Sequence, residues 1–194
     1  MKSFELNGSA RTILGKKGAK AARKENLIPA VLYGGESTEA KHFSVSESSV
    51  RNLIYTPEIY LVNLSVDGQV VTAILKDIQF HPVTDNILHI DFLQVFDNKP
   101  IVIEVPVVLE GLAEGVKAGG KLSLDTRKLK VRAMYKDIPE KLHVNIEHLA
   151  LGKSIQVGEL SFDGLELLNA KNSVVCRVQL TRAARGLAAK NAGK

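Results

Sequence analysis

The sequence predicts a mainly β protein with two short helices, arranged as two successive β domains. Three observations carry that expectation. Runs of two-residue alternation recur from Phe4 to Leu180, the spacing at which successive strand side chains fall on opposite faces. One pair of such runs is separated only by Asp67-Gly68, the residues a tight hairpin turn requires. No long helical pattern stands between the runs.

The elements follow in order. Phe4-Glu5-Leu6 opens a strand that runs to about Arg11. Leu14 to Lys20 is a Gly-flanked basic stretch and reads as an exposed loop, and Ala19 to Asn26 reads as a short helix ending before Pro29. Ala30 to Tyr33 is a strand closed by Gly34-Gly35, and Lys41 to Val45 returns. Ser46 stands as N-cap of a second helix reaching about Ile54, with Glu47 in its first turn. The hairpin runs, Ile59–Val66 and Gln69–Lys76, and a strand over Asn86–Val95 complete one mostly antiparallel sheet or small barrel. Residues 96–100, ending in Pro100, are polar and mark a linker between a domain over 1–95 and another over 101–180.

In the second domain Ile101, Ile103, Val105, Val107 and Leu109 share one strand face. Pro106 interrupts it, and a residue with no N–H places that strand at an edge or a bulge. A Gly-rich loop follows over Gly111 to Gly120. Leu129/Val131/Ala133, Leu142/Val144/Ile146 and Val174/Cys176/Val178/Leu180 are further alternating runs, with a turn at Asp163-Gly164. Residues 181–194 carry Arg182, Arg185, Lys190 and Lys194 and no acid, the composition of a disordered basic tail.

Composition narrows the function classes. Hydrophobic residues make up 45% and charged residues 24% of the chain, enough apolar content for a core. A single cysteine, Cys176, excludes an internal disulfide and a zinc ribbon, which fits a reducing compartment. No apolar leader opens the chain and no apolar run approaches a membrane span, so a cytoplasmic protein is expected. The net charge of +5 is segregated: residues 1–95 carry 10 basic and 10 acidic side chains, yet residues 1–33 hold seven basic against two acidic. Residues 96–194 carry 16 basic and 11 acidic. Patches of cations favour a polyanionic partner.

Motifs for chemistry are sparse. The chain has no phosphate-cradling glycine loop, nucleophile elbow or paired-histidine zinc helix. Its histidines (42, 81, 89, 143 and 148) are scattered, and no cofactor or metal is expected. His89-Ile90-Asp91 is the exception. On a strand the imidazole and carboxylate would stand side by side, as a base with its orienting group, a structural polar pair, or a recognition pair for RNA. No nucleophile or third ligand accompanies them, so no catalytic residue is assigned. The segment from Arg11 to Lys24 is the other lead: Lys16, Lys17, Lys20 and Arg23 lie near glycines that let a phosphate backbone approach, and Tyr33 offers a stacking face. The competing reading of that segment is a solvated surface loop.

Three motifs in order then bear a resemblance. Arg11, Gly15-Lys16-Lys17-Gly18-Ala19, Arg23 and Ile28 to Gly35 are similar to the first signature of the ribosomal L-twenty-five family in its long, Ctc-type (general stress) form. Leu75 to Gln79, His81-Pro82 and His89 to Phe92 resemble the second; Gly111 to Gly120, Ile138-Pro139-Glu140 and Leu149 to Leu160 resemble the third, in the extra domain. The resemblance implies a β-barrel first domain that binds the loop E region of 5S rRNA, and an all-β second domain resting on 23S rRNA or neighbouring ribosomal proteins. It places RNA contacts at Arg11, Arg23, Tyr33, His89 and Asp91, with Lys16 and Lys17 beside them. It also implies a cytoplasmic, ribosome-associated protein with no small-molecule substrate. Phe80 departs from the family pattern, which usually has a basic residue before the His-Pro pair, and the short basic end departs from the long form's acidic tail. The rival functions are a hydrolase built on His89 and Asp91 and a stress-response module that binds proteins.

Overall fold

The computed structural model describes residues 1–35 and 40–181, so the expected basic tail lies outside the described residues but for Thr181. The chain divides into two compact units, Met1–Ile101 with Met134–Lys136, and Val102–Ala133 with the chain from Asp137 onward.

The first unit is a closed barrel of six strands: β1 (Lys2–Ala10), β2 (Leu27–Tyr33), β3 (Lys41–Ser46), β4 (Tyr60–Val66), β5 (Gln69–Phe80) and β6 (Ile87–Gln94). Around the wall the order is β1-β3-β2-β6-β5-β4. The barrel is mixed rather than antiparallel throughout. Four pairings are antiparallel, whereas β1·β4 and β2·β6 run parallel. Tight turns can only join antiparallel neighbours, and both parallel seams join strands distant in sequence. Alternation sends Ala30, Leu32, Phe43, Val45, Val62, Leu64, Ile90 and Phe92 inward, all buried. Phe43 and Phe92 meet with ring centroids 5.8 Å apart.

Local chemistry explains the connections. Asp67 (φ 49°) and Gly68 (φ 80°) both take positive φ, as the hairpin turn demands, and Val66 pairs with Gln69 across it. The helix α2 (Glu47–Ile54) follows Ser46 as expected and adds Val50 and Leu53 to the core. Ser46 occupies the N-cap, but its hydroxyl meets that of Ser48 at 2.7 Å instead of capping the helix N–H groups. Strand β2 begins three residues before the expected Ala30, with Pro29 inside it. Its pairing with β6 starts only at Ala30, so a residue without an N–H costs no bond to β6.

The second unit contains two sheets. One has the order β10-β7-β9-β12, built from β7 (Ile101–Glu110), β9 (Lys128–Ala133), β10 (Leu142–Asn145) and β12 (Glu166–Leu167). The other has β11 (Ser154–Gln156) and β8 (Lys121–Leu124) flanking β13 (Val174–Gln179). Of the two expectations for Pro106, an edge strand or a bulge, the edge is corrected, because β7 has β10 on one side and β9 on the other. The physical reason is local: β10 pairs only with Val107–Glu110, so the ladder starts one residue beyond the proline. The Gly111–Gly120 stretch is also more ordered than a loop. It winds one helical turn, α3 (Glu114–Lys117), and buries Gly115 where a Cβ would sit 2.6 Å from the Leu151 nitrogen. Cys176 is fully buried on β13 and burial raises its thiol pKa, so it is a core residue and not a reactive one.

Candidate nucleic-acid interface

The basic segment is a helix, not a loop. The helix α1 spans Gly15–Lys24, so Lys16 and Lys17 stand in its first turn. Gly15 starts it with φ 84°, and Gly18 explains why the helix begins before Ala19. Gly18 is buried, and a Cβ there would lie 2.3 Å from the Ile13 carbonyl oxygen. The missing side chain lets the first turn settle onto that carbonyl. A glycine read from sequence as a loop signal is here a close-packing signal. Lys16, Lys17, Lys20 and Lys24 project outward and exposed, while Ala19 and Ala22 are half-buried and α1 packs against β2. Arg23 and Lys24 in the last turn also complement the helix dipole.

Two arginines anchor this helix. The Arg11 guanidinium donates to the Ile13 carbonyl at 3.2 Å, bracing the same turn that Gly18 settles on. The Arg23 guanidinium donates to the Leu88 carbonyl of β6 at 3.0 Å. A guanidinium has five N–H donors, so one backbone bond leaves Arg23 able to bind a second partner.

That bond ties Arg23 to the strand residue that precedes His89. Strand alternation puts Ile90 and Phe92 inside the barrel and turns His89 and Asp91 to its outer wall. His89 Nδ1 and Asp91 Oδ1 are 2.7 Å apart, with side chains 30% and 29% exposed. An ionised carboxylate only accepts, so Nδ1 carries the hydrogen and Nε2 is left for another partner. Across the β2·β6 seam Val31 is in register with Asp91, and Tyr33 with Leu93, which sets Tyr33 one alternation further along the same wall. The Tyr33 hydroxyl has a raised pKa, first through burial, then through the negative charges of Asp91 and Asp77. Arg23, Tyr33, His89 and Asp91 thus converge, with the lysines of α1 on the adjoining helix.

Sequence reasoning missed two members of this wall. Asp77 stands in register with Asp91, and Gln79 with His89, across the β5·β6 pair. The register shifts between Leu75 and Asp77, and Asp77 Oδ1 accepts the Ile78 N–H at 2.9 Å. Their signal was available: Asp77/Gln79 and His89/Asp91 alternate symmetrically about the turn that joins the two strands. His81, which stands in the second family signature, caps that turn. Its Nδ1 accepts the N–H groups of Val83 and Thr84 at 3.3 and 3.2 Å. Among the described residues no group of three or more His, Cys, Asp or Glu side chains could hold a metal. No described helix is long and apolar enough to cross a membrane.

Comparison with known proteins identifies the scaffold that carries this basic helix and polar strand wall. Residues 6–92 match the Ribosomal L25p family. Residues 100–182 match the C-terminal domain of ribosomal protein TL5. The chain is 66% identical over 191 residues to a protein of Porphyromonas gingivalis named large ribosomal subunit protein bL25, covering 98% of this chain and 99% of that one. A protein of the same name from Parabacteroides distasonis is 63% identical over 98% of this chain and 100% of its own length. Another from Phocaeicola vulgatus is 61% identical with full coverage of both. On the family match and on identity over nearly its whole length, the chain belongs to the ribosomal L25p family, in the long form that carries a second β domain.

Proposed function

We propose that this chain binds 5S rRNA through a first domain over residues 1–95 and so helps to organise the large ribosomal subunit. Family membership makes it a structural ribosomal protein of the large subunit and not an enzyme, and gives His89 and Asp91 no hydrolytic task. The observation that carries the RNA reading is the convergence of Arg23, His89, Asp91 and Tyr33 on one outer wall beside the cationic face of α1.

The chemistry divides between two kinds of group. Lys16, Lys17 and Lys20 are flexible point charges suited to phosphates, which set register without reading sequence. Arg11 holds the start of α1, and Arg23 joins the helix to β6 while keeping donors for RNA. Asp91 accepts from base amino groups, and Tyr33 stacks or donates. A rigid barrel wall suits an RNA site that is read through shape, 2′-hydroxyls and distorted pairs. Residues 96–100 then act as a linker, and a second domain over 101–180 rests on 23S rRNA or neighbouring proteins.

The test is direct binding of the full chain to 5S rRNA and to an unrelated structured RNA of similar size. A preference for 5S rRNA is expected, with His89→Ala and Asp91→Ala each weakening it about 5- to 150-fold while the melting temperature moves little in comparison. Equal affinity for both RNAs would sink the 5S reading. Collapse of the fold in both variants would make the pair structural.

A further inference from the structure

We infer that His89 meets a phosphate oxygen of the RNA as an imidazolium, so that complex formation takes up one proton at its Nε2. This rests on the 5S rRNA reading above and adds what that reading leaves open: which state of the imidazole binds, and to what.

The geometry narrows the choice to two states. Nδ1 is held by Asp91 Oδ1 at 2.7 Å, which fixes the hydrogen on that nitrogen. The remaining nitrogen, Nε2, then has one role for each protonation state. In the neutral ring it is an acceptor and requires a 2′-hydroxyl or an amino group. In the imidazolium it is a donor and suits a phosphate.

The surroundings favour the donor. On its own strand His89 touches Asp91. From β5 the neutral Gln79 stands opposite it and Asp77 stands opposite Asp91. From β2 comes the Tyr33 hydroxyl, a neutral group near ordinary pH, and from α1 the Arg23 guanidinium bound at Leu88. Two carboxylates therefore face one another on a wall that is to receive a polyanion. Bringing phosphates to that wall is opposed unless positive charge is added there. Arg23 supplies one charge before binding. A ring lying between Asp91 and an incoming phosphate sees an anion on either side, and opposite charges stabilise the charged form. The imidazole that this wall offers to the phosphate is therefore the group assigned the proton that RNA binding draws in.

The experiment titrates affinity of the full chain for transcribed 5S rRNA between about pH 6 and pH 8.5 at constant ionic strength. Linkage predicts that affinity falls as pH rises, approaching about tenfold per pH unit where the free ring is neutral and the bound ring charged. His89→Gln keeps a polar side chain that cannot take a proton, and it should lose that dependence. His42→Gln, on another strand of the barrel, should keep it. Calorimetry in two buffers of different ionisation enthalpy gives a second readout on the unmodified chain, with uptake of about one proton expected. A flat profile with 5S preference intact overturns the imidazolium and leaves the neutral acceptor. A pH dependence that survives in His89→Gln overturns it also, by placing the proton elsewhere. No preference for 5S rRNA at any pH overturns the RNA reading itself.

Discussion

Asp77 and Asp91 stand directly opposite one another across the β5·β6 pair, two carboxylates in register on the outer wall of the barrel. Like charges directly opposite on a sheet are destabilising. The arrangement works against the barrel's stability, and it lies next to the His89–Gln79 pair.

Relieving that opposition should stabilise the fold. Asp77→Asn keeps an oxygen to accept the Ile78 N–H while removing one charge. The expected gain is about 0.2–1 kcal/mol, the scale of a cross-strand pair. Denaturant unfolding at neutral pH and low salt measures it, and the gain should shrink as salt screens the pair. A loss of stability would mean that the carboxylate's bond to the Ile78 N–H outweighs the repulsion.

Tyr33 gives a pH signature with a definite sign. Its folded-state pKa is raised, by burial first and by Asp91 and Asp77 next. Its contribution to stability is therefore fully present below the ordinary tyrosine pKa of about 10 and is lost as pH rises through the higher folded value. Asp91→Asn removes the second cause and leaves burial. The Tyr33 ring resonances should then titrate at lower pH than in the unmodified chain, yet still above the ordinary value. An unchanged midpoint would show that Asp91 does not act on the hydroxyl.

Gly18→Ala sets two effects against each other. Alanine is a better helix former by about 1 kcal/mol. The added Cβ, however, would fall 2.3 Å from the Ile13 carbonyl, a backbone atom that cannot swing aside. Overpacking of this kind costs about 1–3 kcal/mol, so the clash should win. Net destabilisation and weaker RNA binding are expected together, because α1 carries Arg23 to Leu88. Thermal unfolding beside a binding assay tests this, and a stabilised variant would refute it.

The lysines and Asp91 should leave opposite marks on salt dependence. Each phosphate contact contributes roughly 0.7–0.9 to the slope of log affinity against log salt. Lys16→Ala/Lys17→Ala should flatten the slope and weaken 5S and unrelated RNA alike. Asp91→Ala should lose discrimination and leave the slope nearly intact, since it removes no cation. A double-lysine variant with its full slope would return this face of α1 to the solvated reading.

Much of this fold was legible in sequence because strand signals are local. The Asp67-Gly68 turn depends only on two residues able to take positive φ, and the hairpin formed in the expected register. The alternation of Leu129, Val131 and Ala133 with Lys128, Lys130 and Arg132 reappears as buried and exposed faces of β9. The side-by-side placement of His89 and Asp91 followed from the strand period alone, and their 2.7 Å contact agrees with it. What the sequence could not decide is which distant strands meet. The parallel seams β1·β4 and β2·β6 depend on closing the whole barrel, and no local pattern encodes that closure. For the same reason Asp77 was missed until register set it against Asp91, and Pro106 was left between an edge strand and a bulge until β10 proved to start one residue later. Gly18 is the plainest case. Its sequence context reads as an exposed loop, yet the Ile13 carbonyl pressed against it makes it part of a packed helix. Local propensity determined where strands and turns could form; long-range packing decided which residues share a wall, because that depends on atoms far away along the chain.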